Sequence, residues 1–388
     1  MRTASIFASH SARFLRSGLL AVLVSAVGAV SSSGAFNPIN SYLVSDFTVF
    51  AEGNMTMGGH VHGATAIGGD LTLTSGNVEF GHERPGLYKV NPNDAHYTTL
   101  VIGGRFNTLS GGSAKLQNNG WMTLGNIAGT HLWDTNRSNE TSSKWGTTNP
   151  IKFQITATGA AYNSSPSITS NIEQAADYIT RNPGIDFAQQ FSELRQSATL
   201  VASLAPSIAT RANAYTWSNN YTELTVNLAS GYTLVDLTAS QFAGLSKVTI
   251  NGTLSATSGL VFDVSGSVVN FGNWNLQDKG EGASKFVLFN LAEATSVSLG
   301  SQLIYGSVLA PNAAVTRPNN SQNFSGQIIA ASYSQIGTSE IHYYPLEIQV
   351  PEPATVGLIL GLGAGGIVLF RRRLMVDRRH SLAKRCAV

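Results

Sequence analysis

Two histidines are the side chains in this sequence whose spacing best suits metal chemistry. His60 and His62 lie two residues apart, so on a β-strand both imidazoles would project from one face and could share an ion. The sequence does not locate a second pair of ligands. We therefore expect two exposed strand histidines, and we assign no metal site, no catalytic residue and no cofactor.

Three tryptophans form a second group with chemical potential. Trp121, Trp133 and Trp145 stand among asparagines and other polar residues. Aromatic faces flanked by amides could stack on sugar rings and bind their hydroxyls, so the three rings are candidate contacts for an extracellular polysaccharide or a cell-surface ligand. The alternative, which we favour, is that the rings cover the open end of a β-stack.

Motifs of common enzymes are missing from the sequence. It contains no His-Glu-x-x-His, Gly-x-Ser-x-Gly, Walker or EF-hand loop. We therefore predict a protein that is not an enzyme, and we keep a carbohydrate-active enzyme only as an alternative.

Short repeats indicate which elements position these side chains. Residues 66–73 share a glycine-containing bend and an alternating strand with residues 101–109 and, more weakly, with residues 51–57. Residues 306–310 and 326–330 form a second repeat. Such spacing suits a β-helix or a sandwich, and we prefer the β-helix because several runs are apolar on both alternations. The predicted fold class is all-β, a solenoid-like domain.

One helical insert is predicted at residues 170–206, along the side of the β-stack. Ser170-x-x-Glu173 can form a capping box for a first helix. Asp186-x-x-Gln189 can cap a second helix with an apolar face that includes Phe191 and Leu194.

The N-terminus and the charge distribution indicate export. Basic residues precede an apolar stretch and a run of small residues, so residues 1–35 are predicted to be a signal peptide. The remaining body carries a net charge near −6, which argues against nucleic acid as a partner. The single cysteine, Cys386, lies beyond that body.

The C-terminus has the order of a sorting signal. Pro351, Glu352 and Pro353 precede a predicted transmembrane helix at residues 354–370, which is followed by Arg371, Arg372 and Arg373. This order over residues 350–373 resembles the PEP-CTERM signal of Gram-negative bacteria, and residues 374–388 would form a cytoplasmic tail. The resemblance implies an inner-membrane-anchored precursor that an exosortase processes, followed by residence at the cell surface or in the extracellular matrix.

The body from residue 36 to 348 also resembles a known family, the choice-of-anchor A domain. The segments that carry this resemblance are 47–50, 66–70, 185–188, 289–295, 305–313 and 340–345. The family is regarded as a surface adhesive domain without known enzymatic activity, and its pattern is similar to the β-helix of ice-binding adhesins. The resemblance implies an exported adhesin of the cell surface or biofilm matrix, with a carbohydrate-binding module as the first alternative.

Ice binding is the second alternative. An ice-binding surface needs a flat, regular array of small hydroxyl residues. Thr72 and Thr74 offer a fragment of one, and we expect that residues 55–57 and 107–109 do not continue it. We therefore expect ordinary strand threonines.

Overall fold

The computed structural model describes residues 35–39, 43–108, 111–133, 153–162, 164–204, 214–319, 321–348 and 350–351. The protein is mostly β-sheet in these residues, with few helices. The predicted transmembrane helix, and all of the predicted signal peptide except Ala35, lie outside them. Among the described helices, none combines the length and the apolar sequence that a membrane span requires.

The strands are short and are distributed over the whole body. In chain order they are β1 (Ala35–Phe36), β2 (Phe47–Ala51), β3 (Met55–Met57), β4 (His60–Val61), β5 (Ala64–Ile67), β6 (Leu71–Leu73), β7 (Val78–Phe80), β8 (Thr98–Arg105), β9 (Ser113–Leu116), β10 (Trp121–Asn126), β11 (Thr130–Trp133), β12 (Phe153–Ala157), β13 (Ser167–Ser170), β14 (Tyr215–Ser218), β15 (Glu223–Asn227), β16 (Gly231–Thr238), β17 (Lys247–Asn251), β18 (Ser258–Ser265), β19 (Val268–Asn270), β20 (Val287–Asn290), β21 (Ser296–Ser298), β22 (Ile304–Tyr305), β23 (Ser307–Arg317), β24 (Phe324–Ser325), β25 (Ile328–Gln335), β26 (Glu340–His342) and β27 (Val350–Pro351). The α-helices are Ala176–Ile179, Phe187–Ser203 and Ala239–Ala243, and 3-10 helices lie at Val44–Asp46, Gln277–Lys279 and Glu281–Phe286.

Most strands belong to two large sheets, and a three-stranded sheet of β14, β15 and β17 completes the body. The first sheet has 13 strands, with the main order β10-β8-β5-β2-β25-β23-β20-β18-β16 and with β3, β6, β19 and β21 attached. The second sheet has nine strands, in the order β11-β12-β13-β9-β7-β4-β26-β24-β22. All pairs in the first sheet are parallel. Buried apolar side chains from these sheets form one continuous core.

The three copies of the N-terminal repeat lie side by side in register. Ala66 pairs with Val101 in neighbouring strands, and Met55 pairs with Leu71. The polar residue after each bend binds the next copy: the Asn54 side chain accepts the Asp70 N–H at 2.8 Å, and the Asp70 carboxylate accepts the Arg105 N–H at 2.7 Å. The side chains of Asn54 and Asp70 therefore hold adjacent bends together.

The glycines of these bends permit a close approach between backbones. A Cβ added to Gly68 would lie 2.2 Å from the carbonyl oxygen of Glu52, and one added to Gly103 would lie 2.6 Å from the carbonyl oxygen of Gly68. Both distances are shorter than a carbon–oxygen contact allows. Only glycine fits at these positions without a backbone shift.

The long helix, Phe187–Ser203, covers the outer face of the first sheet. Asp186 caps it by accepting the Gln189 N–H, as predicted. Phe191 lies fully buried and stacks on Phe50 of β2 with ring centroids 5.5 Å apart. Asn290 of β20 donates to the carbonyl oxygen of Ala198 at 3.0 Å. The sheet is therefore covered on both faces here, as expected for strands that are apolar on both alternations.

The other predicted helix is much shorter than its sequence indicates. Ser170 lies in β13, where it pairs with Phe153 and Leu116, so its backbone is extended and the predicted capping box with Glu173 is wrong. The helix contains only residues Ala176–Ile179 and has no side-chain cap. Strand pairing at Ser170 overrides the local preference of this residue for a helix cap.

The two ends of the body meet in the middle of both large sheets. In the first sheet β2 lies between β5 and β25, and Val49 pairs with Ile328. In the second sheet β4 lies between β7 and β26, and Val61 pairs with Ile341. We call these two pairings the junction.

Candidate functional site

Histidines and glutamates from distant parts of the chain converge at the junction in the second sheet. In register across this sheet, Glu340 of β26 lies beside His60 of β4, and His60 lies beside Glu79 of β7. Val61 belongs to the core, so His60 and His62 alternate with it and project from the opposite face. The group, which we call the His–Glu cluster, comprises His60, His62, Glu79, His82, Glu83, Glu281, Glu340 and His342.

One triplet in the cluster consists of His60, Glu79 and His82. The Nδ1 atom of His60 lies 3.3 Å from Oε2 of Glu79, and His82 Nδ1 contacts the same carboxylate oxygen. One ligand atom from each of the three residues lies within 4.8 Å of the others. The other oxygen of Glu79 faces the Lys115 ammonium at 3.9 Å.

The second triplet consists of His62, Glu340 and His342. The Nε2 atoms of both histidines face Oε2 of Glu340, at 3.4 Å for His62 and 3.0 Å for His342. The two imidazole rings stack with centroids 4.2 Å apart. On the far side of each ring, Nδ1 of His62 lies 3.2 Å from Glu83 and Nδ1 of His342 contacts Glu281.

His62 is the most enclosed member of the cluster. It is only 5% exposed, and neither of its ring nitrogens makes a hydrogen bond within the described residues. The expectation of two exposed histidines is therefore wrong for His62. His82 and His342 pack against its ring and exclude solvent, which local sequence cannot reveal.

The charges of the second triplet influence one another. Burial and the neighbouring His342 lower the pKa of His62, despite the nearby carboxylates of Glu83 and Glu340. Burial would lower the pKa of His342 too, but hydrogen bonds to Glu281 and Glu340 raise it. Burial would raise the pKa of Glu340, but the hydrogen bond with His342 and the nearby imidazoles hold it below its usual value. The site thus favours a neutral His62 beside an ionised Glu340.

Two of the three candidate tryptophans, Trp121 and Trp133, lie in end strands of the two large sheets. Trp121 begins β10 and contacts Tyr178 edge-on, with centroids 4.3 Å apart. Trp133 ends β11, where its Nε1 donates to Thr156 at 2.7 Å and its ring meets Tyr162. The interpretation that these rings cover the end of a β-stack stays a prediction. The third candidate contact, Trp145, lies outside the described residues.

A row of small polar residues follows six neighbouring strands of the first sheet. Strand register places its members side by side, and we call them the polar row: Asn270, Ser298, Thr316, Ser334, Thr56 and Thr72. Asn107 extends the row by donating to the Thr72 hydroxyl at 3.2 Å. The expectation that residues 55–57 do not continue the threonine pattern is therefore wrong, because Thr56 lies beside Thr72. The copy at residues 107–109 places an amide there instead of a hydroxyl.

The sorting motif is described only at its start. Pro351 ends β27, whereas Glu352, Pro353, Arg371, Arg372 and Arg373 lie outside the described residues.

Sequence reasoning missed six of the eight cluster residues. Glu340 and His342 are two apart, as are His60 and His62, so each pair is a same-face signal on a strand. Nothing local in the sequence shows that β26 lies beside β4.

Comparisons with known proteins place the whole body in one family. The family model described as "Putative Ice-binding-like adhesive domain" matches residues 40–343. The chain belongs to this family. A second model, the PEP-CTERM protein-sorting motif, matches residues 349–373, directly after the ice-binding-like adhesive domain. Together the two matches indicate an exported, cell-surface protein.

Solved structures similar to this member of the family are ice-binding proteins. One from an Antarctic Biological Consortium is 11% identical, with 81% of this chain and 94% of that chain covered and a TM-score of 0.32. A glycosylated ice-binding protein from an Arctic yeast is 12% identical, covering 80% and 94%, with a TM-score of 0.28. The ice-binding protein from the Antarctic ascomycete Antarctomyces psychrotrophicus is 12% identical, covering 80% and 96%, with a TM-score of 0.22. No curated protein matched the sequence.

Proposed function

We propose that this protein is a non-enzymatic adhesin with a β-helical body, acting at the cell surface or in the biofilm matrix of a Gram-negative bacterium. The observation that carries the proposal is the order of the two family matches, an adhesive domain over residues 40–343 and a sorting motif over residues 349–373. The exported body meets its ligand outside the cell, and an extracellular polysaccharide or another surface component is the expected partner.

The proposal includes the route to the surface. The signal peptide directs export, the helix at residues 354–370 holds the precursor in the inner membrane, and an exosortase processes the chain near the Pro-Glu-Pro motif. The match to the sorting motif supports this route. The resemblance to the choice-of-anchor A domain is a further prediction about the same body.

Parallel stacking supports the β-helical form and an extended binding surface. The main path of the first sheet contains nine strands, and each strand pairs in parallel with its neighbours. Such a body presents long flat faces, on which many weak contacts can add up.

A glycan array and a turnover assay test the adhesive function. Purified full-length protein is expected to bind several polysaccharides weakly and to degrade none of them. Because the proposed surface is extended, Trp133→Ala should reduce binding only slightly, and so should the control Trp217→Ala in the three-stranded sheet.

Two outcomes of this test would contradict the proposal. Selective binding of one glycan that Trp133→Ala abolishes, while Trp217→Ala leaves it intact, would indicate a carbohydrate-binding module. Turnover of any polysaccharide would indicate a carbohydrate-active enzyme.

Ice binding is a second candidate, favoured by the polar row. Strands in a sheet lie about 4.8 Å apart, so the row presents small polar groups at one regular interval across six strands. Thr316 and Asn270 are exposed, and the other four members are half-buried. A regular array of this kind can order water on its surface.

The ice-binding candidate predicts a specific loss of activity. Purified full-length protein should shape growing ice crystals, and Thr316→Tyr should abolish the effect because a large ring would lift the row away from the ice. Microscopy of single crystals provides the measurement. The control, Thr216→Tyr, places the same ring on the exposed Thr216 of β14, away from the row, and should retain the activity. Unshaped ice with the wild-type protein would exclude this candidate.

A further inference from the structure

The two triplets of the His–Glu cluster have the composition of a metal site. Zinc is bound by imidazole nitrogen and carboxylate oxygen, and two histidines with one glutamate form a ligand set that leaves one position open. Each triplet supplies two histidines and one glutamate, and in each the ligand atoms lie within 4.8 Å of one another.

The separations between the ligand atoms fit an ion held between them. Tetrahedral zinc with bonds of about 2.0–2.1 Å keeps its ligand atoms about 3.4 Å apart. In the second triplet, Oε2 of Glu340 lies 3.4 Å from Nε2 of His62 and 3.0 Å from Nε2 of His342. In the first triplet, His60 Nδ1 lies 3.3 Å from Glu79 Oε2.

The burial of His62 points independently to a ligand. A buried polar atom without a hydrogen bond destabilises the fold, because the desolvation of that atom is not compensated. His62 is 5% exposed and its two ring nitrogens lack hydrogen bonds in the described part of the chain. A cation bound at Nε2 would satisfy one nitrogen, and a small rotation of the Glu83 carboxylate, whose Oε1 lies 3.2 Å from Nδ1, would let it accept from the other.

Outer carboxylates complete the arrangement around the second triplet. Histidines that bind a metal commonly donate their other ring N–H to a carboxylate, which orients the imidazole and raises its basicity. Glu83 has this position behind His62, and Glu281 has it behind His342. Glu281 is held in turn by the Ser325 hydroxyl, which donates to it at 2.7 Å.

We propose that the His–Glu cluster binds two zinc-class divalent cations. His62, Glu340 and His342 bind one ion, and His60, Glu79 and His82 bind the other. The ligands come from β4 and β7 near the start of the body, from the turn after β7, and from β26 near its end. The ion of the second triplet therefore cross-links the two sides of the junction.

Equilibrium dialysis of metal-stripped, full-length protein against Zn²⁺ alone tests the proposal, with elemental analysis as the readout. We expect two ions per chain for the wild type. The double variant His62→Ala/His342→Ala should lose one ion, and so should His60→Ala/His82→Ala. Zinc should raise the melting temperature of the wild type in a concentration-dependent manner, because the ion binds the folded state. Circular dichroism checks that each variant is folded.

Two further variants test whether the Glu340 carboxylate binds the ion and whether the loss of ions is specific to the cluster. Glu340→Gln preserves the size of the side chain but removes the anionic ligand, so it should weaken uptake at the second triplet. His131→Ala alters an exposed histidine on β11, outside the cluster, and should retain both ions.

The outcomes decide each site separately. Absence of stoichiometric uptake, or uptake that both double variants leave unchanged, overturns the proposal and leaves the carboxylates as partners of the imidazoles alone. One ion that only one double variant removes supports that triplet as a site and overturns the other.

Discussion

Replacing Pro351, Glu352 and Pro353 with alanine is expected to retain nearly all of the protein in the inner membrane as an unprocessed form. We expect the two prolines to disfavour helix just ahead of the predicted membrane helix, because proline fixes φ and restricts the residue before it, and we expect the charged glutamate to favour the polar surface. Alanines there favour continuation of the helix, which would remove the feature that a processing enzyme can recognise. Fractionation followed by mass measurement of the protein in each fraction provides the readout.

The control for the sorting prediction alters a proline that lies far from the motif. Pro92 is exposed in a loop between β7 and β8, so Pro92→Ala should be released normally. Normal release of the triple variant would exclude the proposed role of the motif. Mass measurement of the wild type would also identify both mature termini.

Gly68→Ala is expected to lower the free energy of unfolding by about 3 kcal/mol or more, because overpacking against the backbone cannot be relieved locally. The new methyl group would lie 2.2 Å from the Glu52 carbonyl oxygen and 2.9 Å from the ring of Phe187. The chain would have to separate two bends of the repeat and shift the long helix. Urea denaturation followed by circular dichroism measures the change.

The matched control is the same substitution where space is free. A Cβ on Gly76 meets no atom within 4 Å, so Gly76→Ala should leave stability unchanged or raise it by up to about 1 kcal/mol through lower entropy of the unfolded chain. Equal stability of the two variants would show that the close approach at Gly68 is not needed.

Patterns that are local in sequence predicted much of the β-structure. The repeats at residues 51–57, 66–73 and 101–109 correspond to bends that lie in register, and the cap at Asp186 is formed. The same kind of reasoning failed at Ser170, because pairing with Phe153 and Leu116 overrides its capping potential.

The cluster and the polar row could not be predicted because each depends on pairings between remote segments. His60 was recognisable as a ligand, but its neighbour Glu340 lies on a strand near the other end of the body. Thr56 was recognisable as a strand residue, but its neighbour Ser334 is equally remote. Hydrophobic periodicity specifies which face a side chain occupies and does not specify which strand will lie next to it.

The junction has a consequence for secretion. In the first sheet, β2 and β25 lie between β5 and β23, so the sheet is continuous only after both strands have paired. β25 lies near the C-terminal end of the body and is synthesised late. Pairing of such distant segments is slow, because a long loop must close before the contacts are gained. We therefore expect the complete first sheet to form only after β25 has been synthesised. Because the sorting motif at residues 349–373 follows β25 in the chain, we expect folding of the body and processing of the motif to be successive steps.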